Sequence, residues 1–133
     1  DKIMLKKAIT YTDYNGVVRT EDFYFNLSRA EVTELQLSEK GGYDKMIENI
    51  VNAEDNKAIF ENFKKIILKS YGVKSEDGRR FIKSEQLSEE FSQTEAFVEL
   101  IFGLASDENA AAEFIKGVIP QPNPQSPVAL DKR

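Results

Sequence analysis

The sequence predicts an α+β fold: an N-terminal β-hairpin, four to five short α-helices and a Pro-rich C-terminal tail. Three observations predict it. Residues 3–27 alternate apolar and polar around Asn15-Gly16. From Ser28 onward, apolar residues recur at helical spacing between capping signals. All four prolines fall between Pro120 and Pro127. The expected division is one α+β domain over residues 1–119 and a flexible tail over 120–133.

The hairpin can be read down to its register. Ile3, Leu5, Ile9 and Tyr11 occupy odd positions, with Lys7 the exception; after the turn Val17, Phe23, Phe25 and Leu27 are odd too. A two-residue Asn15-Gly16 loop would set odd opposite even, placing Ile9 across from Asp22 and Leu5 across from Asn26. A three-residue loop, Tyr14-Asn15-Gly16, sets odd opposite odd, so Ile3 faces Leu27 and Leu5 faces Phe25. The longer loop is therefore expected, with Gly16 at positive φ. An isolated hairpin is marginal in water, so its apolar face needs a cover, and the rest of the chain reads as helices only. The even face of the second strand (Val18, Thr20, Asp22, Tyr24, Asn26) is mostly polar. Its backbone edge is either protected by Glu21 and Asp22 or used by a partner.

The helices follow in order. Ser28-Arg29-Ala30-Glu31 is a capping box, in which the Ser side chain and Glu31 satisfy free N–H groups reciprocally. Its helix carries Val32, Leu35 and Leu37 and is expected to stop before Gly41-Gly42. Residues 43–53 read as a helix with Met46, Ile47, Ile50 and Val51 on one face, and residues 57–71 as another closed by Gly72. Residues 73–83 read as a connector around Ser75-Glu76-Asp77-Gly78, with Phe81 and Ile82 as a short extended anchor. A short helix is expected over 85–91. Ser92-Gln93-Thr94-Glu95 reads as a capping box for a helix through Ala105, and Ser106-Asp107-Glu108 caps one more that Gly117 ends. Phe60, Phe63, Ile67, Phe97, Ile101 and Phe114 are the expected core.

Composition narrows the chemistry. Nine Phe and five Tyr in 133 residues can fill a core. A net charge of −5 argues against a nucleic-acid partner. The basic stretch Arg79-Arg80-Phe81-Ile82-Lys83 reads as a solvated loop, with an anion or acidic partner as the sharper alternative. With no Cys and no His, thiol nucleophiles, disulfides, most zinc sites and the commonest general base are excluded. Glu54-Asp55-Asn56, Glu76-Asp77-Gly78 and Asp107-Glu108-Asn109 lack EF-hand spacing and read as caps and turns. No catalytic, cofactor-binding or metal-binding residues are therefore expected, and the protein is not expected to be an enzyme. The apolar run Ile66-Ile67-Leu68 is far too short to span a membrane and is flanked by lysines. No signal peptide is visible, and the start at Asp1 reads as trimming or internal numbering. A soluble intracellular domain is expected.

Several stretches carry a resemblance. They are Tyr24-Phe25-Asn26-Leu27-Ser28 running into its helix, Ile67-Leu68-Lys69-Ser70-Tyr71-Gly72, and Arg80-Phe81-Ile82-Lys83-Ser84. With Glu90-Phe91-Ser92-Gln93-Thr94-Glu95-Ala96-Phe97 and the ending from Ala111 to Pro120, the chain resembles tail assembly chaperones of tailed bacteriophages. The resemblance implies a non-enzymatic phage protein of the host cytoplasm that binds the tape measure protein or tail-tube subunits. It also implies a longer form made by frameshifting near the C-terminus. The alternative is a structural component of the virion, a capsid or tail accessory protein. Self-association is the other partner reading. The candidate interaction residues are Val18, Thr20 and Tyr24 on the strand edge and Pro120, Pro122 and Pro124 in the tail.

Overall fold

The computed structural model describes residues 4–38 and 56–120. Ile3, the Gly41-Gly42 cap and the helix expected over 43–53 lie outside the described residues. The elements are β1 (Leu5–Thr12), β2 (Val18–Phe25), α1 (Arg29–Ser38), α2 (Asn56–Ser70), β3 (Tyr71–Lys74), β4 (Phe81–Ile82), α3 (Glu85–Ser92), α4 (Glu95–Ala105) and α5 (Glu108–Val118).

The first hairpin has the odd-to-odd register: Leu5 lies opposite Phe25 and Ile9 opposite Glu21. Asp13 N–H donates to the Val17 carbonyl at 2.8 Å, which leaves Tyr14-Asn15-Gly16 as the loop. Gly16 takes φ 82°, the left-handed geometry that closes this kind of turn without a Cβ penalty.

The sheet is larger than the sequence suggested. It has four antiparallel strands in the order β1-β2-β3-β4. Residues 73–83 are mostly a second hairpin, not a connector: Val73 pairs with Ile82 and Lys74 with Phe81. Its turn is built by Asp77, whose carboxylate accepts from the Ser75 hydroxyl at 2.8 Å and the Arg79 N–H at 3.0 Å. Tyr71 belongs to β3 and not to the preceding helix, and Gly72 does not close that helix. Gly72 sits in β3 opposite Tyr24, where a Cβ would come within 2.7 Å of the Phe81 ring and 2.9 Å of the Ile82 carbonyl. The glycine is there because an aromatic ring crosses its backbone.

The helix starts follow their caps. Ser28 N–H donates to Glu31 Oε1 at 2.8 Å and Glu31 N–H to Ser28 Oγ at 3.1 Å, completing the capping box. Ser84 caps α3, Thr94 caps α4 and Asp107 caps α5. Ser92 is not the cap of α4: its hydroxyl turns back to the Glu89 carbonyl at 2.6 Å, finishing α3. Gly117 does not end α5, which runs to Val118. A Cβ at Gly117 would stand 2.9 Å from Leu5 Cδ1, so it is a contact point between helix and strand.

The helices cover the odd face of the sheet. Helix α4 packs on β1 and on α2, and α5 on α4 and β1. Phe25, Leu27, Phe63, Ile67, Phe97, Ile101 and Phe114 are buried. Phe91 is the hub of an aromatic cluster, stacked on Tyr71 with ring centroids 4.3 Å apart and angled against Phe23, Phe25 and Phe97. Each such ring is worth about 1.5–3 kcal/mol of burial. Phe60 departs from expectation. It is only half-buried, its ring 5.6 Å from that of the largely exposed Phe102 at the outer margin of the α2–α4 contact.

Candidate interaction surface

The surface is built from the hairpin tip outward. Asp13 organises the tip: its Oδ1 accepts from the N–H groups of Asn15 and Val17, both at 2.9 Å, and its Oδ2 from Arg19 Nε at 2.6 Å. The Arg19 bond, followed by the backbone N–H of Val17, holds the Asp13 carboxyl below its ordinary value of 3.8. Tyr14 reaches across to the start of α4, where its hydroxyl donates to Glu95 Oε2 at 2.9 Å; that bond raises the phenol above its ordinary value. The loop is thereby fixed at both ends.

This fixed tip presents apolar area. Tyr14 is 76% exposed, Val17 49% and Val18 68%, three neighbours at the tip of the hairpin. Parity places Val17 on the apolar face, but on β2 that face is covered only from Phe23 toward the hairpin base, whereas on β1 the cover reaches Ile9 and the half-buried Tyr11. Tyr14 and Val17 are the surface residues that sequence reasoning missed. Flanking a turn, they look like ordinary loop and strand positions, and only the third dimension shows what fails to cover them.

The strand edge is partly open. Because Asp13 and Val17 exchange a bond across the hairpin, odd residues bond between the strands while even residues point N–H and C=O outward. On β2, Tyr24 and Phe25 are taken by β3. Among the described residues Val18, Thr20 and Asp22 have no strand beside them. Thr20 is exposed, its hydroxyl bonded to that of Thr10 at 2.8 Å. Tyr24 differs from the two other candidates: its backbone edge is occupied, its side chain is half-buried, and Lys74 Nζ lies 4.8 Å from its ring centroid. Pro120 ends the described chain and is half-buried beside α5; Pro122 and Pro124 lie outside the described residues. The structure thus brings Val18 and Thr20 together, joins Tyr14 and Val17 to them, and removes Tyr24 from the free edge.

Lys83, one of the basic residues flagged in sequence, is a structural tie. Its Nζ donates to the Asn26 carbonyl at 2.6 Å, Glu31 Oε1 at 2.7 Å and the Lys69 carbonyl at 3.0 Å. Burial lowers its pKa more than Glu31 raises it, while for Glu31 the bonds to Lys83 and Ser28 outweigh burial and lower the carboxyl. The ammonium and the carboxylate stand 2.7 Å apart. The three short contacts decide the matter: Lys83 is charged at neutral pH. It lines a shallow groove together with Ser84, Glu85, Ser88 and Glu89, and its three donors are already engaged.

Among the described residues no group of three acidic side chains could hold a metal ion. No helix there is long and apolar enough to cross a membrane. In comparison with known proteins, a family model described as phage tail assembly chaperone matches residues 4–126. No curated protein and no solved structure matches the chain.

Proposed function

The chain belongs to the phage tail assembly chaperone family, and from that premise we propose that it binds the tape measure protein, tail-tube subunits or both during tail assembly, without catalysis and in the host cytoplasm. The proposed contact is the hairpin tip and the Val18–Asp22 edge of β2, together with the Pro-rich tail beyond Ile119. One observation supports that location above others. A fixed loop exposes Tyr14, Val17 and Val18 beside backbone groups that no strand among the described residues occupies. An extended client segment could hydrogen-bond along such an edge and seat apolar side chains against the tip.

The test is co-purification with the tape measure protein and the tail-tube subunit, each co-expressed with the parent and two variants. One variant lacks residues 120–133; the other carries Thr20→Pro, which removes an outward-pointing N–H. Native helical circular dichroism is required of both. Loss of client from either variant is the expected result, whereas parent-like binding by both overturns the assigned surface. Mass spectrometry of mature virions tests the role itself. A chaperone should be absent, and presence at stoichiometric levels would make the protein a structural component.

A further inference from the structure

Among the described residues the outer edge of β1 and the Val18–Asp22 stretch of the β2 edge are unpaired, and they differ in charge. On β1, whose sequence is LKKAITYT, Lys6 and Lys7 are accompanied by no carboxylate. On β2, Glu21 and Asp22 stand together and outnumber the strand's one cation, Arg19. β1 is the terminal strand of the sheet, and the outward groups of Lys6, Ala8, Thr10 and Thr12 have no strand beside them among the described residues. Lysines on an edge are a common guard against strand addition. A guard of one sign on both edges would repel every neighbour, and here the signs differ. The basic pair also runs against the net charge of −5 for the whole protein.

We propose that β1 of one copy adds antiparallel to the free edge of β2 in a second copy, with Lys6 opposite Asp22 and Lys7 opposite Glu21 of that copy. This deepens the reading that the β2 edge accepts a strand by naming one strand that fits it.

The register has three consequences that agree with one another. Outward-pointing even residues meet outward-pointing even residues, so Ala8 faces Thr20 and Thr10 faces Val18 with their N–H and C=O groups aligned. Both lysines meet carboxylates directly across the new ladder. On the even face, Lys6 already lies 4.0 Å from Asp22 of its own chain, so the added strand extends one pair into an alternating row of charges. The contact is heterologous, using different edges on the two copies, and each added copy leaves a fresh edge at either end. Assembly is therefore open-ended instead of stopping at a dimer. A client strand on β2 would compete for the same backbone groups and break the row.

The experiment is sedimentation of the pure full chain as a function of concentration and salt. The parent should form a concentration-dependent series of species that shortens as salt rises from about 0.05 to about 0.5 M. Lys6→Glu with Lys7→Glu makes both edges acidic, and Glu21→Lys with Asp22→Lys makes both basic. Each double variant alone should associate at least about tenfold more weakly than the parent. An equimolar mixture should restore association, because every contact between unlike variants is again complementary. If a double variant unfolds, the single exchanges Lys6→Glu and Asp22→Lys, both at exposed side chains, supply the same comparison. A parent that stays monomeric throughout, variants that associate like the parent, or a mixture that fails to recover each overturn the proposal. Persistent dimers of the Lys6→Glu, Lys7→Glu variant would point to a symmetric β1–β1 contact and overturn it too. Only the pure protein is used, so failure here leaves client binding to its own test.

Discussion

At Gly72 a single missing methyl group decides whether two hairpins can share a sheet. The Phe81 ring and the Ile82 carbonyl occupy the space a side chain would need, and the carbonyl is backbone that cannot rotate away. Gly72→Ala should therefore cost about 1–3 kcal/mol in urea unfolding, the usual cost of overpacking. Gly103 provides the contrast, since nothing lies within 4 Å of its would-be Cβ and it sits in a helix. Gly103→Ala should be neutral or stabilising by up to about 1 kcal/mol. Phe91→Ala removes the ring that touches Phe23, Phe25, Tyr71 and Phe97, and should cost about 3–5 kcal/mol. At Asp13 the prediction is a pH dependence. Its carboxyl titrates below 3.8 in the folded protein, so its stabilisation is complete above that value and is lost as pH falls through the lower folded value. The Asn15 and Val17 amide resonances, whose N–H groups it accepts, should move together in that window, and Asp13→Asn should abolish the movement.

Elements show which parts of this architecture were legible and which were not. The hairpin register could be read because parity is unforgiving: a one-residue slip turns Leu5 and Ile9 to solvent. The helix starts could be read wherever one polar residue competes for the free N–H groups, as at Ser28. Two residues apart, Ser92 and Thr94 offered the same signal, and only the Phe97 N–H shows which one wins, bonding to Thr94 Oγ1 at 3.1 Å. Thr94→Ala should thus cost about 1 kcal/mol in thermal or urea unfolding, with Ser92→Ala clearly smaller, and equal losses would contradict the assignment. Strands β3 and β4 were not legible, because four residues and two are too few to show alternation. They exist through pairing with β2 and with each other, which is tertiary information. Of the interaction surface, the sequence indicated Val18 and Thr20. It could not show that β3 takes Tyr24, nor that helical cover stops short of Tyr14 and Val17.

Across the whole molecule, the sheet and the helical layer are fastened at one seam. Asn26 N–H donates to the Ser70 carbonyl at 2.8 Å, and Leu27 N–H to the Val118 carbonyl at 2.9 Å. These bonds join the end of β2 to the ends of α2 and α5, far apart in sequence, and the Leu27 side chain is fully buried at the same point. The seam cannot open without separating the two layers, so the Asn26 and Leu27 amides should exchange with solvent only through global unfolding. The β2 edge differs because its alternate amides face outward. Val18, Thr20 and Asp22 should exchange quickly, while Arg19, Glu21 and Phe23, bonded to β1, should be slower. Native-state hydrogen exchange measured at low concentration reads both patterns at once. Two slow amides at the seam with alternation along β2 is the expected outcome. Seam amides exchanging well before Ile67 and Ile101 would mean that the hairpin lifts off the helices as a unit. In that case the tip would be mobile on its own, and the preorganised loop on which the interaction surface depends would not exist in solution.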